Sequence, residues 1–180
     1  MQLENLVSGN IGLIHLLFSI VALIFGTLVL SFLKGTNKHK RIGYFYCISM
    51  LGVNITAFMI YRLYNKFGIF HWMAVISLLT LIAGMLPMII KKPQSYVTLH
   101  FNFMYWSVIG LYAAFTAETL VRIPDVVIDS GIPNSTFYQM TGIASGITVA
   151  IGAFFSIKNK KKWIKFDKSF KRSDRTPQNH

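Results

Sequence analysis

The side chains able to do chemistry are few, and they are spaced regularly. Four of the five histidines, His15, His39, His71 and His100, fall close to the ends of long uncharged stretches, and His180 is the last residue. Ionisable groups inside a membrane span are costly, and by default they mark function. His15 and His71 stand at one end of the first and third stretches, and His39 and His100 at the other end of the second and fourth. In an up-down bundle the first and third helices are diagonal, as are the second and fourth. Each histidine pair would then face across the interior. Two facing imidazoles at each of two levels suit two b-type haems. Cations at both levels, Arg62 and Arg122 at one and Lys38 and Lys92 at the other, would meet the propionates. The expectation is a transmembrane electron-transfer protein carrying haem b, with a quinone or another redox partner as donor.

Two other chemistries use the same residues. Glu118 is five whole helical turns from His100, so it shares that face but lies at the level of His15 and His71. His15, His71 and Glu118 would make a site for zinc or iron. No HExxH or similarly tight spacing accompanies them, and Arg122, one turn on, would compete for the carboxylate. Glu118, Asn54 and the histidines could also line a proton or substrate path, as in a small transporter. The plain alternative is structural. An interfacial histidine can cap a helix or bond a carbonyl, and Thr36 reads as an N-cap with His39 at the third helical position. The chain would then be a membrane scaffold without chemistry. It contains no nucleophile motif and no phosphate-binding loop, and its one cysteine, Cys47, excludes an internal disulfide.

The elements that must position these residues follow from composition. The chain has 180 residues, 53% of them hydrophobic and 13% charged, with a mean hydropathy of +0.51. Soluble domains carry about 25% charged residues. Residues 11–33, 42–61, 69–90, 98–117 and 139–157 form apolar runs of about 20 residues each, the length needed to cross a hydrocarbon core. Backbone groups in lipid must be satisfied within the segment, so the runs predict five transmembrane helices. Short connections make the first four antiparallel neighbours, an all-α up-down four-helix bundle over residues 1–123. Residues 124–138, with Pro124, Gly131 and Pro133, would be an outer loop, 139–157 a fifth transmembrane helix and 158–180 a basic cytoplasmic tail. Gly142, Gly146 and Ala150 make a small-xxx-small ladder that would pack helix 5 on the bundle or on a second copy.

The net charge of +12 is also organised. With the C-terminus inside, the inner face holds Lys34, Lys38, Lys40, Arg41, Lys91, Lys92 and the nine cations of the tail, while the outer face holds only Arg62, Lys66 and Arg122. The bias predicts an N-out, C-in protein. It assigns the tail, where Trp163, Phe166 and Phe170 recur near helical spacing, to anionic lipid. Nucleic acid is not an expected partner.

With Lys34-Gly35-Thr36-Asn37-Lys38-His39-Lys40, Gly43 and Tyr46, then Phe70-His71-Trp72, His100 with Met104, and Glu118 to Arg122, the chain resembles a group of predicted bacterial membrane proteins, the domain-of-unknown-function family numbered 2306. The resemblance covers about residues 11–123. It implies a multi-pass protein of the bacterial inner membrane and directs attention to His15, His39, His71 and His100, while leaving helix 5 and the tail outside.

Overall fold

The computed structural model describes residues 9–60, 67–122, 128–129, 132–133 and 135–175. Five helices account for nearly all of it: α1 (Gly9–Ser31), α2 (Asn37–Met59), α3 (Ile69–Ile90), α4 (Tyr96–Arg122) and α5 (Ser135–Arg175). A two-residue antiparallel pair, Ile128–Asp129 with Ile132–Pro133, sits between α4 and α5.

The helix ends explain where the chain turns. At the end of α1 the Lys34 amine donates to the carbonyls of Val29 and Leu30, both at 2.7 Å, closing two acceptors that the last turn leaves open. Gly35 then takes φ 80°, a backbone region that other residues enter at a cost. Thr36 caps α2 as expected, its hydroxyl accepting from the His39 N–H at 3.1 Å. These contacts give the first connection one geometry, with His39 in the first turn of α2.

Helices α1 to α4 close a ring in which each packs on the next and α4 returns to α1, and α5 lies along α4. Ala22, Val29, Tyr46, Cys47, Met50, Leu81, Met104, Val108 and Leu111 fill the interior. The outward side chains are also apolar. Leu33, Ile48, Ile76, Ile89 and Ile157, among many others, are exposed. A water-soluble bundle would not display such a surface, whereas lipid accepts it.

Among the described residues, four segments are long and apolar enough to cross a membrane: Asn10–Ser31, Asn37–Met59, Ile69–Ile90 and Tyr138–Phe166. The fourth apolar run of the sequence is the exception. Helix α4 has sufficient length, 27 residues, but includes His100, Asn102, Tyr105, Ser107, Tyr112, Thr116 and Glu118. Its position supplies the reason. It touches α1, α3 and α5, so its polar groups find partners on other helices: Tyr46 for Ser107, Thr27 for Tyr112, Gly152 for Tyr105 and Thr148 for Thr116.

Helix α5 also differs from expectation. It runs unbroken for 41 residues through the basic segment, which is helix and not a separate tail. Side chains expected to face lipid turn inward to α4: Trp163 packs on Tyr105 at 5.1 Å between ring centroids, and Phe166 on Phe101 at 5.4 Å. The Tyr105 hydroxyl donates to the Gly152 carbonyl at 2.7 Å, and the Ile109 side chain occupies the space a Cβ on Gly152 would need. The small-residue ladder points elsewhere. Gly142 and Gly146 face open space, while Thr141, Ala144 and Gly152 form the buried side of α5.

Candidate functional site

The histidines occupy the two ends of the bundle, as their spacing predicts, but the bonds they make divide them into different roles. His15 on α1 meets the Thr56 hydroxyl on α2 at 2.8 Å. Thr56 already donates its proton back to the Gly52 and Val53 carbonyls. With the Thr56 proton so engaged, His15 Nδ1 is the donor to the hydroxyl oxygen, and Nε2 faces α4. That atom is 4.0 Å from the Glu118 carboxylate of α4, within ion-pair reach when the imidazole is protonated. Three helices thus converge on His15, Thr56 and Glu118, which uphold the sequence expectation that His15 and Glu118 share a level.

His71 has the opposite tautomer. Its Nδ1 accepts from the Gly68 N–H at 3.1 Å, while the His71 backbone N–H donates to the Gly68 carbonyl at 3.1 Å. This reciprocal cap starts α3. Phe67 lies over the ring at 4.9 Å, and only 3% of the residue is exposed. A neutral imidazole that accepts at Nδ1 holds its proton on Nε2.

At the other end, which carries the lysine-rich connections and is called the basic end below, His100 Nδ1 donates to the Gly84 carbonyl of α3 at 2.8 Å. Pro87, which lacks an N–H, releases the carbonyl four residues back, that of Ala83 next to Gly84, and its ring crowds this turn of α3. His39 lies in electrostatic range of both His100 and Lys34 and close to the Val29 carbonyl. Its Nδ1 is buried with no hydrogen-bond partner among the described residues. Lys34 lies in the connection between α1 and α2, and burial pushes its amine down from 10.5 to about 8. The charged form is thus penalised in the folded state. Its contribution to stability improves as pH rises from about 8 toward 10.5, where only the unfolded chain holds the proton. Lysine-selective NMR in detergent should show Lys34 titrating near pH 8, ahead of the exposed lysines; titration together with them would contradict this burial.

The expected haem ligands do not fit haem b as two facing pairs. His71 offers no free lone pair, because Nδ1 accepts from Gly68 and Nε2 keeps the proton. Between the two levels the interior is filled. Tyr46, Met50, Val108 and Asn54 are fully buried, and a Cβ on Gly26 would lie 3.1 Å from the Tyr46 ring and 3.4 Å from Val108. Among the proposed propionate contacts, Lys38 and Lys92 are exposed at the basic end. Arg62 lies outside the described residues, as does the Arg122 side chain at the end of α4. The alternative metal set is not assembled either. Among the described residues, no three His, Cys, Asp or Glu side chains gather to hold an ion, so His15, His71 and Glu118 do not form one centre.

Other polar groups lie between the two ends: Asn54, which the sequence placed on a proton or substrate path, and Tyr46 and Ser107, to which it gave no such role. Tyr46 and Ser107 bond at 2.8 Å in the middle of the bundle. Asn54, 1% exposed, donates to the Met50 carbonyl at 2.8 Å, while its Oδ1 meets no donor among the described residues. Thr56, the residue that sets the tautomer of His15, was absent from every sequence-based candidate set. Its signal was a hydroxyl one turn short of the end of α2, on the side facing His15.

Residues 12–157 match the family model described as predicted membrane protein (DUF2306). The chain belongs to this family. The match takes in α1 to α4 and the apolar half of α5, so the family extends past the four-helix core to which the resembling motifs were confined. No curated protein and no solved structure matches the chain. For this DUF2306 protein, what the fold and the family jointly establish is a helical, multi-pass membrane protein.

Proposed function

We propose that the protein is a small proton-coupled membrane transporter, in which His15 and Glu118 exchange protons at one end of the bundle. The observation that carries this reading is the 4.0 Å approach of His15 Nε2 to the Glu118 carboxylate, with the ring held by Thr56. A base and an acid so placed in a poorly solvated site can trade a proton when one partner is displaced or charged by a substrate. Further support comes from the polar groups toward the basic end: Asn54 with its unmet acceptor, then Tyr46 and Ser107, then His39 and His100. The separations between these groups require water to complete a path, and the Asn54 Oδ1 is a site that water would satisfy.

On this reading the basic end faces the cytoplasm and the N-terminus faces out, because fifteen of the 18 cations lie on one side. A bacterial inner membrane, anionic lipid along the basic part of α5, and a second copy against Gly142 and Gly146 are consistent expectations. Electron transfer through haem has less support, since His71 serves as a helix cap. The test is flux into vesicles reconstituted with the full chain, using an entrapped pH-sensitive dye and an imposed pH gradient and membrane potential. The expected result is acidification above protein-free vesicles, lost in Glu118→Gln and in His15→Gln and retained in His71→Gln variants that still fold. Wild-type vesicles no leakier than empty ones would sink the proposal.

A further inference from the structure

Many hydroxyls along the spans share one habit. Those of Ser19, Thr27, Ser49, Thr116 and Thr148 each donate to the backbone carbonyl four residues earlier, at 2.7–3.0 Å. A hydroxyl bonded in this way has spent its only proton and offers its neighbours lone pairs. Thr56 does the same, its proton shared between the Gly52 carbonyl at 2.7 Å and the Val53 carbonyl at 3.0 Å. It differs in what meets its oxygen, a titratable ring from another helix: His15 Nδ1, at 2.8 Å.

The contact is built into the packing of α1 on α2. Gly52 is one turn before Thr56, and a Cβ there would come within 2.6 Å of the Phe18 ring. Its bare backbone lets α1 lie close. Phe18 is three residues after His15, so both side chains share a face of α1. Phe18 settles on Gly52 as His15 reaches Thr56. Ser19 does not compete for the ring, since its proton goes to the His15 backbone carbonyl at 2.8 Å. Thr56 is only 7% exposed, which keeps bulk water from replacing it as the acceptor.

This arrangement limits the direction in which the ring can move a proton. An imidazole relays a proton by taking one at the first nitrogen and releasing another from the second. Beyond the second nitrogen of His15 stands Thr56, whose own proton is committed to two carbonyls. Accepting one more would create a charged oxonium in a poorly solvated site. The relay is closed on that side.

Resting on the proton-coupled reading above, we infer that Thr56 is a positioning residue that makes His15 a one-sided proton carrier. Nδ1 keeps its proton throughout, and exchange takes place at Nε2 alone. The O–H bond of the Glu118 carboxyl breaks, its electron pair stays on the carboxylate, and the proton bonds to Nε2 to give an imidazolium. The reverse step returns it to Glu118 or to water on the same side. No proton crosses the ring toward α2, so onward passage into the bundle starts from Glu118.

Two readouts on the full chain in vesicles test this. Solid-state nitrogen NMR on histidine-labelled protein reads the tautomer, with His15 assigned by the signal missing from His15→Gln. The neutral wild-type ring is expected to carry its proton on Nδ1 alone. Thr56→Val has the same shape without the acceptor, and should move the proton to Nε2 or divide it between the nitrogens. Thr56→Ser returns the oxygen and should restore the wild-type signal. Proton flux should fall about tenfold or more in Thr56→Val, the scale for losing a partner that orients a histidine, and recover in Thr56→Ser. Circular dichroism checks that the variants keep their helices. A wild-type ring protonated on Nε2, an unchanged tautomer in Thr56→Val, or a shifted tautomer with undiminished flux would overturn the inference. The expected spectra in a wild type that carries no flux would overturn the transport reading and uphold the tautomer assigned to Thr56.

Discussion

Tyr46→Ala is expected to destabilise the bundle by about 3–5 kcal/mol, the range for emptying a fully buried aromatic site. Tyr46 is 0% exposed and anchors the contact between α1, α2 and α4. Its ring lies where a Cβ on Gly26 would come within 3.1 Å, and its hydroxyl bonds Ser107 at 2.8 Å. The two contributions separate in a short series. Tyr46→Phe keeps the ring and strands the Ser107 hydroxyl, so it should cost about 1 kcal/mol, rising toward 2 if no water replaces the bond. Gly26→Val is unfavourable alone, because the added methyls meet the ring. Combined with Tyr46→Ala it should recover part of the loss by filling the vacated volume, a coupling that independent sites would lack. Unfolding in mixed micelles with increasing denaturing detergent measures all four variants. A Tyr46→Ala loss below that of Tyr46→Phe would mean that the ring does not pack as described.

Gly84→Val should be comparably damaging for the opposite reason. A Cβ on Gly84 would lie 2.7 Å from the Met104 sulfur and 3.3 Å from the Met104 backbone nitrogen. The sulfur can move and the backbone cannot, so α3 and α4 must separate. Overpacking of this kind costs about 1–3 kcal/mol. The separation also pulls the Gly84 carbonyl away from His100, whose 2.8 Å bond depends on the close approach. Gly110→Ala is the internal control. It is on α4 as well, but nothing lies within 4 Å of its added Cβ, so it should be neutral or gain up to about 1 kcal/mol from helix propensity. Similar losses for both substitutions in the same unfolding assay would refute the packing assigned to Gly84.

Much of the architecture was legible in the sequence because lipid imposes simple rules. Apolar runs of fixed length gave the helices, short connections gave their antiparallel order, and Thr36 announced the start of α2. The roles of the histidines were only partly legible. Spacing places His15 and Glu118 at one level, and the structure brings them together. Spacing cannot say which ring nitrogen is already engaged, and that decides between His71 as ligand and His71 as cap. Helix α4 shows a second limit. Its hydroxyls weaken the membrane signal, yet other helices solvate those of Tyr105, Ser107, Tyr112 and Thr116, a fact visible only once the neighbours are placed. The aromatics of the basic segment show a third. Trp163 and Phe166 have the spacing of a lipid anchor, but the same spacing also suits a face laid against Phe101 and Tyr105.

The unbroken length of α5 has a mechanical consequence. At 1.5 Å per residue, its 41 residues make a rod of about 60 Å, roughly twice the thickness of the hydrocarbon core. The aromatic clasp to α4 fixes its middle turns, so the rod behaves as a lever with its fulcrum inside the membrane. A rocking of α4, such as one that opens or closes the contact between His15 and Glu118, would be carried by the rod through the clasp to its far tip. It would then be measurable as the displacement of a label near Arg175.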